Sequence, residues 1–400
     1  MRFSVLALCG AASVSALAVP SAQPSEDKRA APKPVDLAQF GKFKTTTLEE
    51  AKNKLEAALK KIGDDVDSVF SKTTLATKID WDSIKDHDQA SYLGGAAHPA
   101  AAARPATHIA AQQLSHIIKR QSSSNSSNSS SISSTSSSGC TSPTVRVEWR
   151  DMSEQDRKGW VKAVRKLMDL PASGGMTETI HGVAQFLLWH RYYLHLFEDL
   201  LRSEGGLTGP LPWWDETRDA GHFSKAPMFT SEYIGSAPLA NNGQGFCVTD
   251  GAFANKQLTV GGTTCLARGV DESSTSNCNQ NFINTCNSYP SFSDMAGCAE
   301  LGPHAYGHNG IGAVMMGVPT SPNDPSFFLH HAFVDHAYRI WQIADPNNRL
   351  NKIDGCADKA NPCTPASANV VVSSQGLRPD VTVGDLFDTT GGYLCYRYSY

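Results

Sequence analysis

The stretch Asn323-Asp324-Pro325-Ser326-Phe327-Phe328-Leu329-His330-His331-Ala332-Phe333-Val334-Asp335 decides how the chain is read. Its pattern is helical from about Asp324 to Ile343. Within it, His331 begins a turn that closes on Asp335 four residues later. Upstream, His304 and His308 are also four apart, on a helix-compatible stretch from about His304 to Val314. That spacing puts both imidazoles on one helix face, a turn apart, where they can hold one ion. Neutral imidazoles without cysteine suit copper or zinc and leave a coordination position open. A lone pair of this kind reads as two satisfied core histidines. Two His-dense helices in otherwise apolar text point to a metal instead.

Further upstream, His181 and His190 are nine residues apart. At ~100° per residue they would face opposite ways on one unbroken helix. They converge only if the chain is irregular near His181, which His181-Gly182 permits, and helical by His190. The helical pattern there runs from about Glu178 to Arg202. A further helix starts at Ser153 and Asp156, with Trp160, Val161, Val164, Leu167 and Met168 on its apolar face. It breaks at Leu170-Pro171-Ala172-Ser173-Gly174-Gly175. Residues 205–300 are rich in Gly, Ser, Asn and Cys and read as loops pinned by disulfides. The tail carries short β-like runs at Asn369–Val372 and Tyr393–Tyr398. The expected class is mainly α, a helix bundle with long crossovers rather than a doubly wound sheet.

The chain has 400 residues, 40% of them apolar and 18% charged, with a net charge of −4. This is globular composition and gives no electrostatic reason to expect nucleic acid. Residues 1–18 read as a signal peptide: Arg2, an apolar run from Phe3 to Val14, and Ala16-Leu17-Ala18 as the cleavage site. The expected localisation is therefore secreted, and no later run is long enough for a membrane span. Residues 19–120 read as a pro-segment. It contains one amphipathic helix opened by the capping box Thr47-Leu48-Glu49-Glu50, followed by Leu55, Leu59 and Ile62. It ends at the dibasic pair Lys119-Arg120. Residues 121–139 form a linker in which 13 of 19 residues are Ser, with sequons at Asn125 and Asn128. The folded domain is then 140–400.

Ten cysteines fit an oxidising compartment. Removal of Cys9 with the signal leaves an odd number, hence a free thiol, an unusual crosslink or a missing partner. Local pairs are expected for Cys356 with Cys363 and for Cys278 with Cys286.

The stretch at Asn323–Asp335 resembles the second copper signature of the tyrosinase superfamily. Phe186-Leu187-Leu188-Trp189-His190-Arg191-Tyr192-Tyr193-Leu194 with Glu198 resembles the first. Arg146-x-Glu148-Trp149-Arg150 looks like the opening of that domain, and Leu394-Cys395-Tyr396-Arg397-Tyr398 like its closing tyrosine motif. The layout is most similar to short secreted fungal tyrosinases and catechol oxidases. The resemblance implies a four-helix bundle holding a dinuclear copper site. Its chemistry is oxidation of o-diphenols, and in some members monophenols, to o-quinones with dioxygen. Carried over by position, His181 and His190 hold the first copper, and His304, His308 and His331 the second. His331 is chosen over His330 because the ligand stands four residues before Asp335. Glu300 and Asn309 are the candidate catalytic residues. Asp335 is a candidate support for a ligand imidazole, Val318 falls at the position of a gate over the copper, and His195 and His222 read as structural.

One feature departs from the pattern. Relatives carry another first-copper histidine ahead of the position of His181, and none lies between His116 and His181. Three explanations stand open: a stretch lost near Leu170–Thr179, a true variant with a damaged first site, or His116 reaching in. The first site is expected to bind copper weakly, and activity to be impaired. The alternative function is a copper-binding pseudoenzyme or dioxygen-binding protein. A zinc hydrolase on His304, His308 and His331 would lack its general base, because no H-E-x-x-H motif is present. The pro-segment would keep the enzyme latent until cleavage after Arg120. Partners are dioxygen and phenolic small molecules, with no nucleic acid and no membrane; the oligomeric state is left open.

Overall fold

The computed structural model describes residues 32–62, 140–169, 180–259, 264–374 and 376–400. The signal reading, the dibasic pair, the Ser-rich linker and the break at Leu170–Gly175 lie outside the described residues. From Pro32 onward the described chain forms one unit.

Helix α2 (Glu154–Met168) starts where Ser153 predicts, with the Ser153 hydroxyl accepting from the Asp156 backbone N–H. Trp160, Val161 and Val164 are buried as its periodicity requires. Helix α3 (Phe186–Leu200) begins later than the sequence pattern suggests. Residues 180–185 form turns, and Gly182 has φ +69°, so the irregular entry expected at His181-Gly182 is present. Helix α3 continues into a π-type turn, Leu201–Gly205, which packs against α2.

The loop region read between 205 and 300 contains, besides a single helical turn at Glu272–Thr275, two eight-residue helices that its composition concealed. These are α4 (Gln280–Asn287), capped by Asn279, and α5 (Phe292–Ala299), capped by Ser291. Their apolar faces are short, with Phe282 and Cys286 on one and Phe292 and Met295 on the other. The disulfide Cys286–Cys298 joins them. A π-type turn, Glu300–His304, kinks at Gly302-Pro303 and leads into α6 (Ala305–Ile311). Helix α7 (Ser326–Ala344) is opened by Asp324, whose Oδ1 accepts from the Ser326 backbone N–H at 2.9 Å and from its hydroxyl at 2.7 Å. Helices α2, α3, α6 and α7 make the bundle, and α3 and α7 pack directly on each other.

Short strands frame it. Thr144–Glu148 pairs in parallel with Pro212–Trp213 on one side and Tyr396–Tyr398 on the other. The disulfide Cys140–Cys395 closes this end of the domain. Cys247–Cys265 and Cys356–Cys363 complete the four bridges, the last as expected. The expected Cys278–Cys286 pair is not formed. Cys286 is taken by Cys298, while Cys278 is a buried free thiol whose Sγ lies 3.5 Å from the Pro303 carbonyl.

The opening and closing motifs meet inside the bundle at Asp335. Arg191 Nε donates to Asp335 Oδ1 at 2.6 Å, and the Tyr398 hydroxyl donates to Oδ2 at 2.6 Å. Tyr396 also donates to Asp335, and Arg146 bridges Glu198 at 3.2 Å and Asp335 at 3.5 Å. All of these side chains are buried. Asp335 is therefore occupied as a structural anion and does not support a ligand imidazole. Paired this fully, the carboxylate titrates below its ordinary range despite the opposing effect of burial.

The described part of the sequence-read pro-segment packs on the same unit. Pro34–Asp36 (β1) pairs antiparallel with Gln244–Cys247. Helix α1 (Leu48–Ile62) opens with the expected capping box: the Thr47 N–H donates to Glu50 Oε2 at 2.8 Å, and the Glu50 N–H to Thr47 Oγ1 at 3.1 Å. Ala51, Leu55 and Leu59 are buried, and the Tyr289 hydroxyl donates to the Ala51 carbonyl.

Candidate metal centre

Six imidazoles converge inside the bundle. His181 comes from the turn before α3 and His190 from α3. His304 ends the π-type turn, His308 lies on α6, and His330 and His331 lie on α7. All except the half-buried His181 are nearly or fully buried. One ring nitrogen from each of His304, His308, His330 and His331 lies within a group no more than 4.8 Å across. His181 and His190 face each other at a ring separation of 5.3 Å, and His190 stacks on His331 at 4.2 Å. The remaining described histidines lie elsewhere. His195 packs near Tyr393, His222 precedes a short helical turn, and His336 donates to the Tyr400 carbonyl.

The polar partners of these rings fix their tautomers. His190 Nδ1–H donates to the Phe186 carbonyl at 2.8 Å and His304 Nδ1–H to the Glu300 carbonyl at 3.0 Å. His308 Nδ1–H donates to the Met315 carbonyl at 2.8 Å. With Nδ1 as donor, Nε2 keeps its lone pair for a metal. Backbone carbonyls thus do the orienting that the sequence reading assigned to Asp335. His304 Nε2, His330 Nε2 and His331 Nδ1 are buried without any hydrogen-bond partner, and His308 Nε2 lies 3.2 Å from His331 Nε2. Burial, followed by the neighbouring imidazoles, pushes His190, His304, His308 and His331 well below the ordinary histidine range. They stay neutral. Buried, neutral, unpartnered nitrogen donors fit a copper ion, which repays the desolvation that orphaned nitrogens otherwise cost.

His330 was passed over in favour of His331, yet both enter the cluster. His330 Nδ1 is held by Glu216 Oε1 at 2.7 Å, and Glu216 sits in the loop after Trp213-Trp214. The glycine at 307 makes room for it: a Cβ there would lie 2.4 Å from His330 Cε1. The Trp-Trp-Asp-Glu run at 213–216 was the available signal, and sequence distance hid its partner.

The two candidate catalytic residues differ. Glu300 Oε1 accepts from the Gly182 backbone N–H at 2.7 Å, tying the His181 turn to the His304 turn. Burial raises its carboxyl to about 7, opposed by that N–H, so it can exchange a proton near neutrality. Asn309 instead uses its whole amide on the chain at Phe43. Its Oδ1 accepts from the Phe43 N–H at 3.0 Å, and its Nδ2 donates to the Phe43 carbonyl at 2.9 Å. The Phe43 ring stacks on His308 at 4.2 Å and meets His304 and His181 edge-on at 5.3 and 5.7 Å. Sequence reading missed Phe43 entirely.

A bundle carrying a buried set of metal-competent histidines defines the class of protein. Residues 144–344 match the model of the common central domain of tyrosinase, and the chain belongs to that family. It is 31% identical over 310 residues to the tyrosinase-like protein phomQ1′ of Diaporthe leptostromiformis, covering 65% of this chain and 80% of that one. It is 26% identical over 332 residues to tyrosinase P of Aspergillus terreus, covering 65% of this chain and 93% of that one. The fold matches a polyphenol oxidase from Thermothelomyces thermophila with a TM-score of 0.59 at 21% identity, covering 72% and 94%. The family uses a dinuclear copper site, so copper is the expected occupant of the cluster.

Proposed function

We propose that this chain is a secreted phenol oxidase that converts o-diphenols to o-quinones with dioxygen. The observation that supports it most is the buried histidine cluster, with Nδ1 atoms of three rings held by backbone carbonyls and Nε2 atoms left for metal. His181 and His190 would hold one copper; His304, His308 and His331 would hold the other, with His330 beside them. The copper pair, when bound, supplies the redox centre through which electrons from the phenol reach dioxygen. The protein keeps the imidazoles neutral and excludes bulk water from them. Glu300 provides a carboxylate for the hydroxyl proton. Four disulfides support an oxidising destination.

Among the described residues only two imidazoles stand on the first side without belonging to the second set, so the two sites differ in strength. Copper titration of the metal-free chain is expected to show one tight and one weak equivalent. Catechol turnover is expected to appear only as the second equivalent binds. Two equivalents bound with no quinone formed would leave a copper-binding protein instead.

A further inference from the structure

Four of the six converging imidazoles form a figure of their own. The separations between the ring centres of His304, His308, His330 and His331 are 4.7, 5.5, 5.2, 4.7, 5.2 and 5.1 Å. Four points so nearly equidistant mark the corners of a tetrahedron. Metal–nitrogen bonds of about 2.0–2.1 Å to tetrahedral corners set the nitrogens about 3.3 Å apart and the ring centres about 5 Å apart. His308 Nε2 and His331 Nε2 lie 3.2 Å apart. The other two imidazoles do not share this figure. His181 and His190 stand 5.9 and 6.1 Å from His304, and His190 lies flat against His331 with an angle of 5° between the rings.

His330 also has the support that a ligand needs. Its Nδ1–H donates to Glu216 Oε1 at 2.7 Å, and both side chains are fully buried. That bond leaves the Nε2 lone pair unused, and Nε2 has no hydrogen-bond partner. A carboxylate behind a ligating imidazole fixes the ring and raises its basicity. Without an ion, an orphaned buried nitrogen only costs stability.

We propose that His330 is a fourth ligand of the second site and that Glu216 positions it. His304, His308, His330 and His331 then close a tetrahedral four-nitrogen site around a single ion. The site suits an ion with no geometric preference of its own, such as zinc(II) or the reduced form of copper. With all four corners taken, the ion offers no position to dioxygen or a phenol, so a chain holding one ion is silent toward catechol. Turnover at the second equivalent then requires His330 to give up its corner.

This inference rests on the cluster being the metal site of the preceding reading, but not on oxidation, and its test needs no turnover. Zinc affinity of the metal-free full chain is measured by competition with a chromophoric chelator. Cobalt(II) serves as a second probe, because its visible absorption is intense in four-coordinate tetrahedral sites and weak in six-coordinate ones. His330→Asn and Glu216→Gln are compared with the unsubstituted chain, with metal-free melting and near-UV circular dichroism as checks of folding. The unsubstituted chain is expected to show the intense cobalt band. Glu216→Gln should bind zinc about 10- to 100-fold more weakly. His330→Asn should lose at least as much and change the cobalt spectrum. Unchanged affinity and spectrum in both folded variants would overturn the proposal, as would a weak cobalt band in the unsubstituted chain. If neither variant folds, X-ray absorption of the zinc-loaded chain decides: four imidazoles support the proposal, and three with an oxygen reject it. Unchanged variants of a chain that forms quinone with copper would reject His330 as a ligand and leave the oxidase reading standing. The expected losses in a chain that forms no quinone with copper would uphold the four-nitrogen site and reject the oxidase reading.

Discussion

At the scale of single residues, the position after the motif aspartate, His336, shows how a buried imidazole is accommodated. Its ring packs on Trp213 at 4.2 Å and on Tyr398 at 5.0 Å. Burial pushes it down to about 4, against the opposing effect of the Tyr400 carbonyl. The unfolded chain takes up its proton near pH 6.5 and the folded one only near 4. The stability due to the neutral ring is thus present above 6.5 and lost as pH falls toward 4. His336→Asn is expected to flatten the fall in metal-free stability across that window, read by urea unfolding at a series of pH values. The same scale shows what was legible in the text. His304 and His308 could be placed from spacing alone, because a helix turn fixes their relation. Glu216 and Phe43 could not, since each reaches the cluster from a loop whose path no local pattern encodes.

At the scale of elements, α6 is the critical piece. It is one of the shortest helices here and carries His308, Asn309 and the glycine at 307. Elsewhere in a helix, Gly→Ala gains up to about 1 kcal/mol. At 307 a methyl would strike His330 and approach Glu216 Oε2 at 3.2 Å. Gly307→Ala is therefore expected to lower the melting temperature and weaken zinc or copper binding at the second site, read by calorimetric titration. Of the elements, α1 and α2 were readable because capping residues and apolar period agree, and α7 because its long pattern is helical. Helices α4 and α5 were not, because an apolar face only eight residues long does not outweigh the polar, Cys-rich composition around it. Their disulfide and their packing on the bundle supply what propensity does not.

At the scale of the whole molecule, the domain is closed by pairing its two ends. The parallel strands Thr144–Glu148 and Tyr396–Tyr398 lie beside the Cys140–Cys395 bridge, which spans 255 residues of sequence. Loop-closure entropy grows slowly with length, so this bridge carries several kcal/mol, up to about 5. Replacing both cysteines by Ser is expected to lower the denaturant midpoint more than removing Cys356–Cys363, which closes only 7 residues. Equal losses would show that native-state packing, not chain entropy, sets the value of the bridge.

No cysteine lies between residues 33 and 62, so among the described residues the segment Pro34–Ile62 is held to the domain by β-pairing, apolar burial and hydrogen bonds rather than by a disulfide. In an uncut chain these contacts form within one molecule, at an effective concentration independent of dilution. Once the connecting sequence is severed, the same contacts become an association between two chains, governed by mass action. Cutting would thus make Phe43 a dissociable occupant, retained at high protein concentration and shed on dilution.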